Sequence, residues 1–198
     1  MGSATVYEAG GRGGYVEADL IQVLPASRAA GPARTVLCGQ DDNLMVHAVM
    51  GELAAGEVLV LSMPEPRPVA LVGELLATQA KAAGAAAILV DAAIRDLEEL
   101  RALGLPIWAR YVRVQGAAKA VAGDLNGPVT VGGALINPGD VLVLDADGVA
   151  VVAAGRVDEV LAAALAREQK ERLKRARMEA GEHSYELDGL RAVLEGRR

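Results

Sequence analysis

Two pairs of residues have the types and the spacing that a catalytic or binding site could use: Gly73-Glu74 and Arg95-Asp96. Gly73 opens a run of strong helix formers, residues 74–83, and Arg95-Asp96 follows residues 86–90, an apolar run of strand length. A helix start presents unpaired N–H groups and a partial positive charge, so it can hold an anion. A cation and a carboxylate opposite such a helix start suit a small anionic substrate held on a divalent ion.

The same residues have a simpler interpretation. An Arg-Asp pair after a strand is more often a surface ion pair, which contributes only about 0–1 kcal/mol. Leu75, Leu76 and Ala80 fit a buried helix face better than a ligand site. The coincidence of Arg95-Asp96 with Gly73-Glu74 at a helix start favours the chemical interpretation.

Helix and strand patterns alternate around these residues. Strands are predicted at residues 20–24, 34–38, 57–61, 86–90, 106–109 and 111–114. Helices are predicted at residues 5–9 with Ser3 as N-cap, from Asp41-Asp42-Asn43 to about residue 54, at 74–83 and at 97–103. The proline-rich residues 63–68 are predicted to form a surface loop.

The pattern of apolar runs and turn residues in the sequence changes at Pro128. Short β-type runs at residues 129–131, 134–136, 141–144 and 149–152 alternate with glycine-rich turn signals, which predicts an antiparallel meander. Residues 157–194 form a helical tail that is apolar as far as Leu165, charged afterwards and broken near Gly181. A helix without a partner in its own chain suggests an α/β layered domain that oligomerises through this tail.

The length, charge and amino-acid composition of the chain limit the classes of protein to which it can belong. With 198 residues and 52% hydrophobic content, the chain can bury one sizeable core. A net charge of −6 gives no general attraction for nucleic acid or an anionic membrane surface, and no apolar run approaches the about 20 residues that span a bilayer. The single Cys38 and the absence of a secretory signal predict a cytoplasmic setting. One Cys and two His make no credible zinc site.

Several motifs together resemble the RraA-like family, and within it the class II pyruvate aldolases. They are TVYEA, DDNLMVH, GELLATQAKAAG, RDLEE and NPGDVLVLDADGVAVV, and the resemblance extends over nearly the whole chain. The most specific part is a glycine followed after a spacer by Arg-Asp-x-x-acid, carried by Gly73, Arg95, Asp96 and Glu99. The resemblance implies an α/β fold of layered β/β/α, swivelling-domain type, with residues 1–155 as the domain and 156–198 as a C-terminal helical extension. It also implies trimers or hexamers, with the tail packed on a neighbouring subunit and the site between subunits.

The resemblance implies a role for each site residue. Asp96 would be the protein ligand of Mg²⁺ or Mn²⁺, with water and a 2-oxo acid completing the shell. Backbone N–H groups of Gly73, Glu74, Leu75 and Leu76 would bind the pyruvyl carboxylate. Arg95 would pair with the C2 oxygen as it becomes an enolate.

Carboxylates would complete the site. Glu74 would hold water in the metal's coordination shell, and Glu171, with Glu168 as the reserve, would approach from a neighbour's C-terminal helix. Glu8 is a further candidate from a neighbour. Without the resemblance, Glu168 and Glu171 most simply form i,i+4 pairs on a solvated helix face.

Other residues leave alternatives open. His47 is more often packed than ligating at such a position, and Trp108 fits the core or a subunit interface. Arg110 and Lys119 could meet a second substrate carboxylate or simply be solvated. The chain departs from the family pattern at Ala92-Ala93, where active members carry Asp-Gly after the strand.

The implied function is that of a divalent-metal-dependent aldolase acting on a 4-hydroxy-2-oxo di- or tricarboxylic acid. The family substrates are 4-hydroxy-4-methyl-2-oxoglutarate and 4-carboxy-4-hydroxy-2-oxoadipate, and oxaloacetate decarboxylation would use the same enolate. The alternative is a non-catalytic binding protein like the regulator of ribonuclease E activity. Those regulators lack the Asp of Arg-Asp and the long charged tail, and this chain has both.

Overall fold

Strands and helices alternate through most of the chain. The computed structural model describes residues 1–196. Its strands are β1 (Ile21–Gln22), β2 (Ala29–Leu37), β3 (Val58–Ser62), β4 (Ala70–Val72), β5 (Ala87–Ile94), β6 (Ile107–Val112), β7 (Asp124–Leu125), β8 (Val129–Val131), β9 (Ala134–Ile136), β10 (Val141–Asp145) and β11 (Gly148–Val152). Its helices are α1 (Ser3–Ala9), α2 (Leu44–Val49), α3 (Glu74–Ala82), α4 (Leu97–Leu103), α5 (Val157–Glu179), α6 (Ser184–Leu187) and α7 (Leu190–Glu195), with a 3-10 turn at Ala154–Arg156.

A nine-stranded mixed sheet is the framework of the fold. Its strands lie in the order β1-β6-β5-β3-β2-β10-β11, with β4 paired to β5 and β7 paired to β2. Strands β2, β3, β5 and β6 run parallel, and β4 runs parallel to β5. Because parallel strands end at the same edge of a sheet, the segments that follow β4, β5 and β6 emerge close together.

Both faces of the sheet are covered. Strands β3 and β5 are buried along their whole length, as expected for parallel strands between two layers. One face packs against α2, α3 and α4 through residues such as Val46, Leu76 and Leu100. The other face packs against β8 and β9 and against β10 and β11, strands of the same sheet that curl over it, through residues such as Ile136 and Leu142. These are the layers of the predicted fold, and the predicted fold class is confirmed.

Helix α5 packs on the domain only at its start. Val160 and Ala164 are its buried residues, and α1 is its main packing partner. Further along, the side chains of Leu165 and Leu173 are 55% and 58% exposed. The tail breaks after α5 at Gly181 (φ +96°), as predicted. No helix within residues 1–196 combines the length and the apolar content needed to cross a bilayer.

Some predicted boundaries are wrong. The strand predicted to end at residue 90 continues to Ile94, so Asp91 lies inside the sheet. The helix predicted to reach residue 54 ends at Val49. Strand β4 is missing from the prediction because three residues carry too little pattern to be recognised.

The predicted meander is wrong in its pairing. Strands β8 and β9 form a separate hairpin, whereas β10 pairs with both β2 and β11 and therefore belongs to the central sheet. The turn residues specify local hairpins, but pairing between distant strands depends on the whole core.

Asp145, at the end of β10, fixes α1 to the sheet. Its carboxylate accepts hydrogen bonds from the backbone amide and the hydroxyl of Ser3, at 2.8 and 2.6 Å, and from the amide of Asp147 at 3.0 Å. The predicted N-cap role of Ser3 is wrong: Gly2 is the N-cap, and the Ser3 side chain binds Asp145 instead. Burial raises the pKa of Asp145, but these donors outweigh it and hold the pKa below its usual value.

We predict that Asp145→Ala lowers the free energy of unfolding by about 1–3 kcal/mol at pH 7, because the Ser3 donors lose their acceptor. Since the folded-state pKa of Asp145 is depressed, its contribution is present above the unfolded-state pKa and is lost as pH falls through the folded-state pKa. The difference between variant and wild type in urea unfolding should therefore shrink below about pH 4. Asp147→Ala, which keeps its amide, is the control. A difference that grows on acidification would contradict this account.

Candidate functional site

Asp96 lies where β5 ends and α4 begins. Its backbone is left-handed (φ 59°, ψ 47°), a conformation that Asp tolerates but that few other residues adopt. The carboxylate does not cap its own helix. Instead, Oδ2 accepts a hydrogen bond from the backbone amide of Glu74 at 3.0 Å. The carboxylate of Asp96 is thereby directed to the start of α3.

Gly73 provides the space for this contact. Its backbone is extended (φ −128°, ψ −171°), so its conformation does not itself require glycine. A Cβ at this position would lie 2.5 Å from Oδ2 of Asp96 and 3.2 Å from Cγ and Nε of Arg95. Glycine is therefore required by close approach of the two side chains.

The side chain of Arg95 lies between two glycines. Gly73 flanks its Nε, and a Cβ on Gly116 would lie 2.8 Å from its Nη1. The backbone amide of Arg95 donates to the carbonyl of Val72 at 3.0 Å, and Nε lies 3.7 Å from Oδ2 of Asp96. Because the Arg95 side chain is 51% exposed, its guanidinium remains available to a ligand.

These residues line a cleft of about 170 Å³. Its lining residues are Asn43, His47, Ala70, Leu71, Gly73, Leu75, Leu76, Arg95, Asp96, Ala117 and Lys119. The lining combines two cations with one carboxylate at a helix N-terminus, which suits an anionic ligand. A cavity of about 250 Å³ beside α1 is larger, but it is lined by Tyr7, Tyr15 and mostly apolar residues without a cation.

The structure brings most of the predicted substrate-binding residues together. Gly73, Leu75, Leu76 and Arg95 all line the cleft, whereas Glu74 contributes its amide but not its side chain to the lining. The side chain of Leu75 is 77% exposed, so its interpretation as a core residue is wrong. Leu76 is 7% exposed and packs in the core as expected.

The predicted cross-subunit acids lie elsewhere on the chain. Glu8 on α1 and Glu171 on α5 both pair with Arg167, at 3.7 and 2.8 Å. Glu168 lies 3.4 Å from the N-terminal ammonium of Met1. None of these acids lines the cleft of its own chain. The structure thus groups the acids with one another and separates them from Arg95 and Asp96.

Three polar residues of the lining lie outside the predicted site: Asn43, His47 and Lys119. The prediction treats His47 as packed, leaves Lys119 open and gives Asn43 only a helix-cap role. Asn43 donates from Nδ2 to the carbonyl of Leu71 at 3.0 Å, while its buried Oδ1 has no partner among residues 1–196. The motif DDNLMVH indicates a helix start, but only the sheet order shows that this helix start borders the cleft.

Arg110 does not reach the cleft, because its guanidinium pairs with Asp91. Burial raises the pKa of Asp91 despite the opposing effect of Arg110. Ala92 and Ala93, which depart from the family's Asp-Gly, are buried in β5 and have no positive φ. Glycine is therefore not required there for backbone conformation.

The donor set at the cleft fits a weakly liganded divalent ion. Asp96 is the carboxylate that lines the cleft, and its side chain is 41% exposed. Residues 1–196 contain no group of three or more His, Cys, Asp or Glu side chains that could hold a metal. One carboxylate beside open solvent suits Mg²⁺ or Mn²⁺, which keep several waters, and does not suit zinc.

Comparisons with known proteins agree with this fold. Residues 3–151 match the model of the RraA-like family, described as aldolase/RraA. The chain is 38% identical over 170 residues to the "Putative 4-hydroxy-4-methyl-2-oxoglutarate aldolase" of Halalkalibacterium halodurans, covering 85% of this chain and 78% of that protein. It is similar to Streptomyces coelicolor RraAS2, an unusual member of the RNase ES inhibitor RraA family, with TM-score 0.78, 32% identity and 88% and 91% coverage of the two chains. The RNA-processing inhibitor RraA from Thermus thermophilis gives TM-score 0.71 and 29% identity, covering 77% of this chain and 92% of that one.

We predict that Gly73→Ala weakens Mn²⁺ binding by about 10- to 100-fold, as the loss of a partner that orients a metal ligand does. The added Cβ would lie 2.5 Å from Oδ2 of Asp96 and would force the carboxylate away from the Glu74 amide. Calorimetric titration with Mn²⁺ measures the effect. Gly51→Ala is the matched control, because a Cβ there meets no atom within 4 Å. Equal Mn²⁺ affinity in the two variants would refute the role of Gly73.

Proposed function

We propose that this chain, which belongs to the RraA-like family, is a divalent-metal-dependent lyase that releases pyruvate from a 4-hydroxy-2-oxo di- or tricarboxylic acid. The candidate substrates are 4-hydroxy-4-methyl-2-oxoglutarate and 4-carboxy-4-hydroxy-2-oxoadipate, with oxaloacetate decarboxylation as a related activity. The observation that carries the proposal is the convergence of Arg95, Asp96 and the amide end of α3 in one cleft.

The amides that would bind the pyruvyl carboxylate can be narrowed down. The amide of Glu74 donates to Asp96, and the amide of Ala77 donates to the carbonyl of Gly73 at 3.1 Å. The amides of Gly73, Leu75 and Leu76 are therefore the donors at the start of α3 that remain for the carboxylate. A carboxylate at this position also gains from the positive end of the helix dipole.

Arg95 would stabilise charge during bond cleavage. The C4 hydroxyl gives up its proton, the C3–C4 bond breaks, and the electron pair moves onto the C2 oxygen of the pyruvyl half. A fixed guanidinium beside that oxygen stabilises the charge that develops there. Bound at Asp96, Mg²⁺ or Mn²⁺ would supply Lewis acidity toward the 2-oxo acid. Glu74, whose side chain does not line the cleft, would act on the hydroxyl proton only through water that it holds.

Lys119 would recognise the far carboxylate of the substrate. Of the two cations left open by the sequence, Lys119 lines the cleft and Arg110 is engaged by Asp91. The amides at the start of α3 would bind one carboxylate and Lys119 the other, which matches a substrate that carries a carboxylate at each end. This arrangement favours dicarboxylic over monocarboxylic 2-oxo acids.

The remaining acids would come from a neighbouring subunit. Glu8, Glu168 and Glu171 lie together near the α1–α5 contact, outside the cleft of their own chain. In a trimer or a hexamer, this group would face a neighbour's Arg95 and Asp96, and Glu171 would share the proton transfer there.

A regulatory protein is the second candidate. It is favoured by the similarity to RNA-processing inhibitors of the RraA type. A regulator needs neither a metal nor a 2-oxo acid, so pyruvate release separates the two candidates.

We predict that the wild-type protein releases pyruvate from oxaloacetate and from 4-hydroxy-4-methyl-2-oxoglutarate with Mg²⁺ or Mn²⁺, and that a chelator abolishes the release. Asp96→Ala should behave like the chelated protein. Arg95→Ala should lower kcat by about 10²–10³-fold, as the loss of one donor to a developing oxyanion does. Arg113→Ala, which removes an exposed arginine outside the cleft, is the control. Equal traces of pyruvate in all samples would rule out the lyase and leave the regulator.

We predict that Arg95→Ala and Glu171→Ala proteins, each weakly active, regain activity when they are mixed and their subunits exchange. A mixed interface would combine an intact cleft from one subunit with an intact acid from another. Mixing each variant with itself is the control. A monomer in solution, or no recovery after proven exchange, would exclude a site that is shared between subunits.

A further inference from the structure

The segment that carries Lys119 is fixed to the loop before α2. The amide of Ala118 donates to the carbonyl of Asp41 at 3.0 Å, and the amide of Asn43 donates to the carbonyl of Ala118 at 2.9 Å. These bonds form a short parallel bridge between Asp42 and Ala118. The bridge joins two stretches of chain that both border the cleft.

The side chain of Asp42 extends this connection. Its Oδ2 accepts hydrogen bonds from the amides of Ala120 and Val121, at 2.6 and 3.0 Å, and its Oδ1 accepts from the amide of Leu44 at 2.8 Å. Asp42 is fully buried. Burial alone would raise its pKa, but the three backbone donors outweigh burial and keep the pKa below its usual value.

Lys119 therefore lies between two fixed residues. Ala118 is held by the backbone bridge, and Ala120 is held by the carboxylate of Asp42. The side chain of Lys119 lines the cleft, and none of the ion pairs among residues 1–196 includes it. The backbone of an unpaired cation that lines the cleft is thus held on both sides.

We propose that Asp42 is a positioning residue that sets the preference of the cleft for dicarboxylic 2-oxo acids by holding the backbone on either side of Lys119. Asp42 itself touches no ligand and acts through Lys119. The inference rests on the proposed function for the nature of the ligand, while the connection between Asp42 and the Lys119 segment is a feature of the structure itself.

The test compares the neighbouring variants Asp42→Asn and Asp41→Asn in the full-length protein. The NH₂ group of an asparagine at position 42 cannot accept a hydrogen bond. Some of the backbone amides that donate to the Asp42 carboxylate therefore lose their acceptor, and the segment around Lys119 is held less firmly. Asp41 is partly exposed and pairs with Arg67, and its left-handed backbone (φ 58°) suits asparagine. Calorimetric titration in the presence of Mg²⁺ measures the binding of two ligands, 2-oxoglutarate and pyruvate. The first of these, 2-oxoglutarate, is not an aldol.

Asp42→Asn should raise the Kd for 2-oxoglutarate about tenfold and leave that for pyruvate within about twofold, because pyruvate has no far carboxylate. Asp41→Asn should change neither. In a Lys119→Ala background, which already lacks the cation, Asp42→Asn should have no further effect on 2-oxoglutarate binding. Equal weakening of both ligands, or additive effects of the two substitutions, would show a merely structural role and overturn the proposal.

Amide hydrogen exchange provides a readout that does not depend on ligands. The amides of Ala120 and Val121 should exchange slowly in the wild type and faster in Asp42→Asn, while those of β3 and β5 remain protected. If Asp42→Asn does not fold, the wild type still tests the proposal. Fast exchange of the Ala120 and Val121 amides in the wild type would refute the anchorage, whereas slow exchange together with the Lys119→Ala binding result would support it.

The positioning role and the lyase function can fail separately. If the wild-type protein prefers 2-oxoglutarate and this preference depends on Asp42, but the protein cleaves no aldol, the lyase is refuted and the positioning role is retained. Protein that binds neither acid would overturn both.

Discussion

The hydrogen bond from the backbone amide of Glu74 to the carboxylate of Asp96 connects the two halves of the candidate site. It links the start of α3, which follows β4, to the end of β5, and these two strands are paired in parallel. Two local conditions make the bond available. Gly73 leaves the carboxylate enough room, and the left-handed backbone of Asp96 turns its side chain away from its own helix. Arg95 then occupies the space between Gly73 and Gly116, and this position follows from the same lack of side chains.

Two separate groups of charged residues bear on the proposed function. One group is the cleft, where Arg95 and Lys119 surround a single carboxylate and the free amides of a helix start. The other group is the contact between α1 and α5, where Arg167 joins Glu8 and Glu171. Neither group alone has everything that a lyase of the proposed kind requires. An assembly that brings the cleft of one subunit to the acids of another would supply the missing parts, and the exposed apolar residues of α5 lie on the helix that such an assembly would use.

Buried carboxylates in this fold act mainly as acceptors for backbone amides. Asp42 holds the Lys119 segment, and Asp145 holds α1. In both cases burial raises the pKa and the hydrogen-bond donors lower it by more, so each group remains charged at neutral pH. The donors are backbone amides around Asp42, and the Ser3 hydroxyl together with backbone amides around Asp145. Asp91 shows the opposite balance, since burial dominates although Arg110 is its partner. The number of fixed donors around a buried carboxylate therefore decides the direction in which its pKa is shifted.

The sequence by itself determined the elements whose pattern is local. Helix-forming residues after Gly73, the apolar strand before Arg95 and the break at Gly181 could all be predicted, because propensity and periodicity act over a few residues. Family motifs identified Asp96 and Arg95, and the structure places both in one cleft. Strand pairing, the place of Lys119 beside Arg95 and the distance of Glu8 and Glu171 from the cleft were decided only by the tertiary structure. They depend on contacts between segments far apart in the chain, which form when the sheet is assembled and its two faces are buried, and no local pattern encodes them.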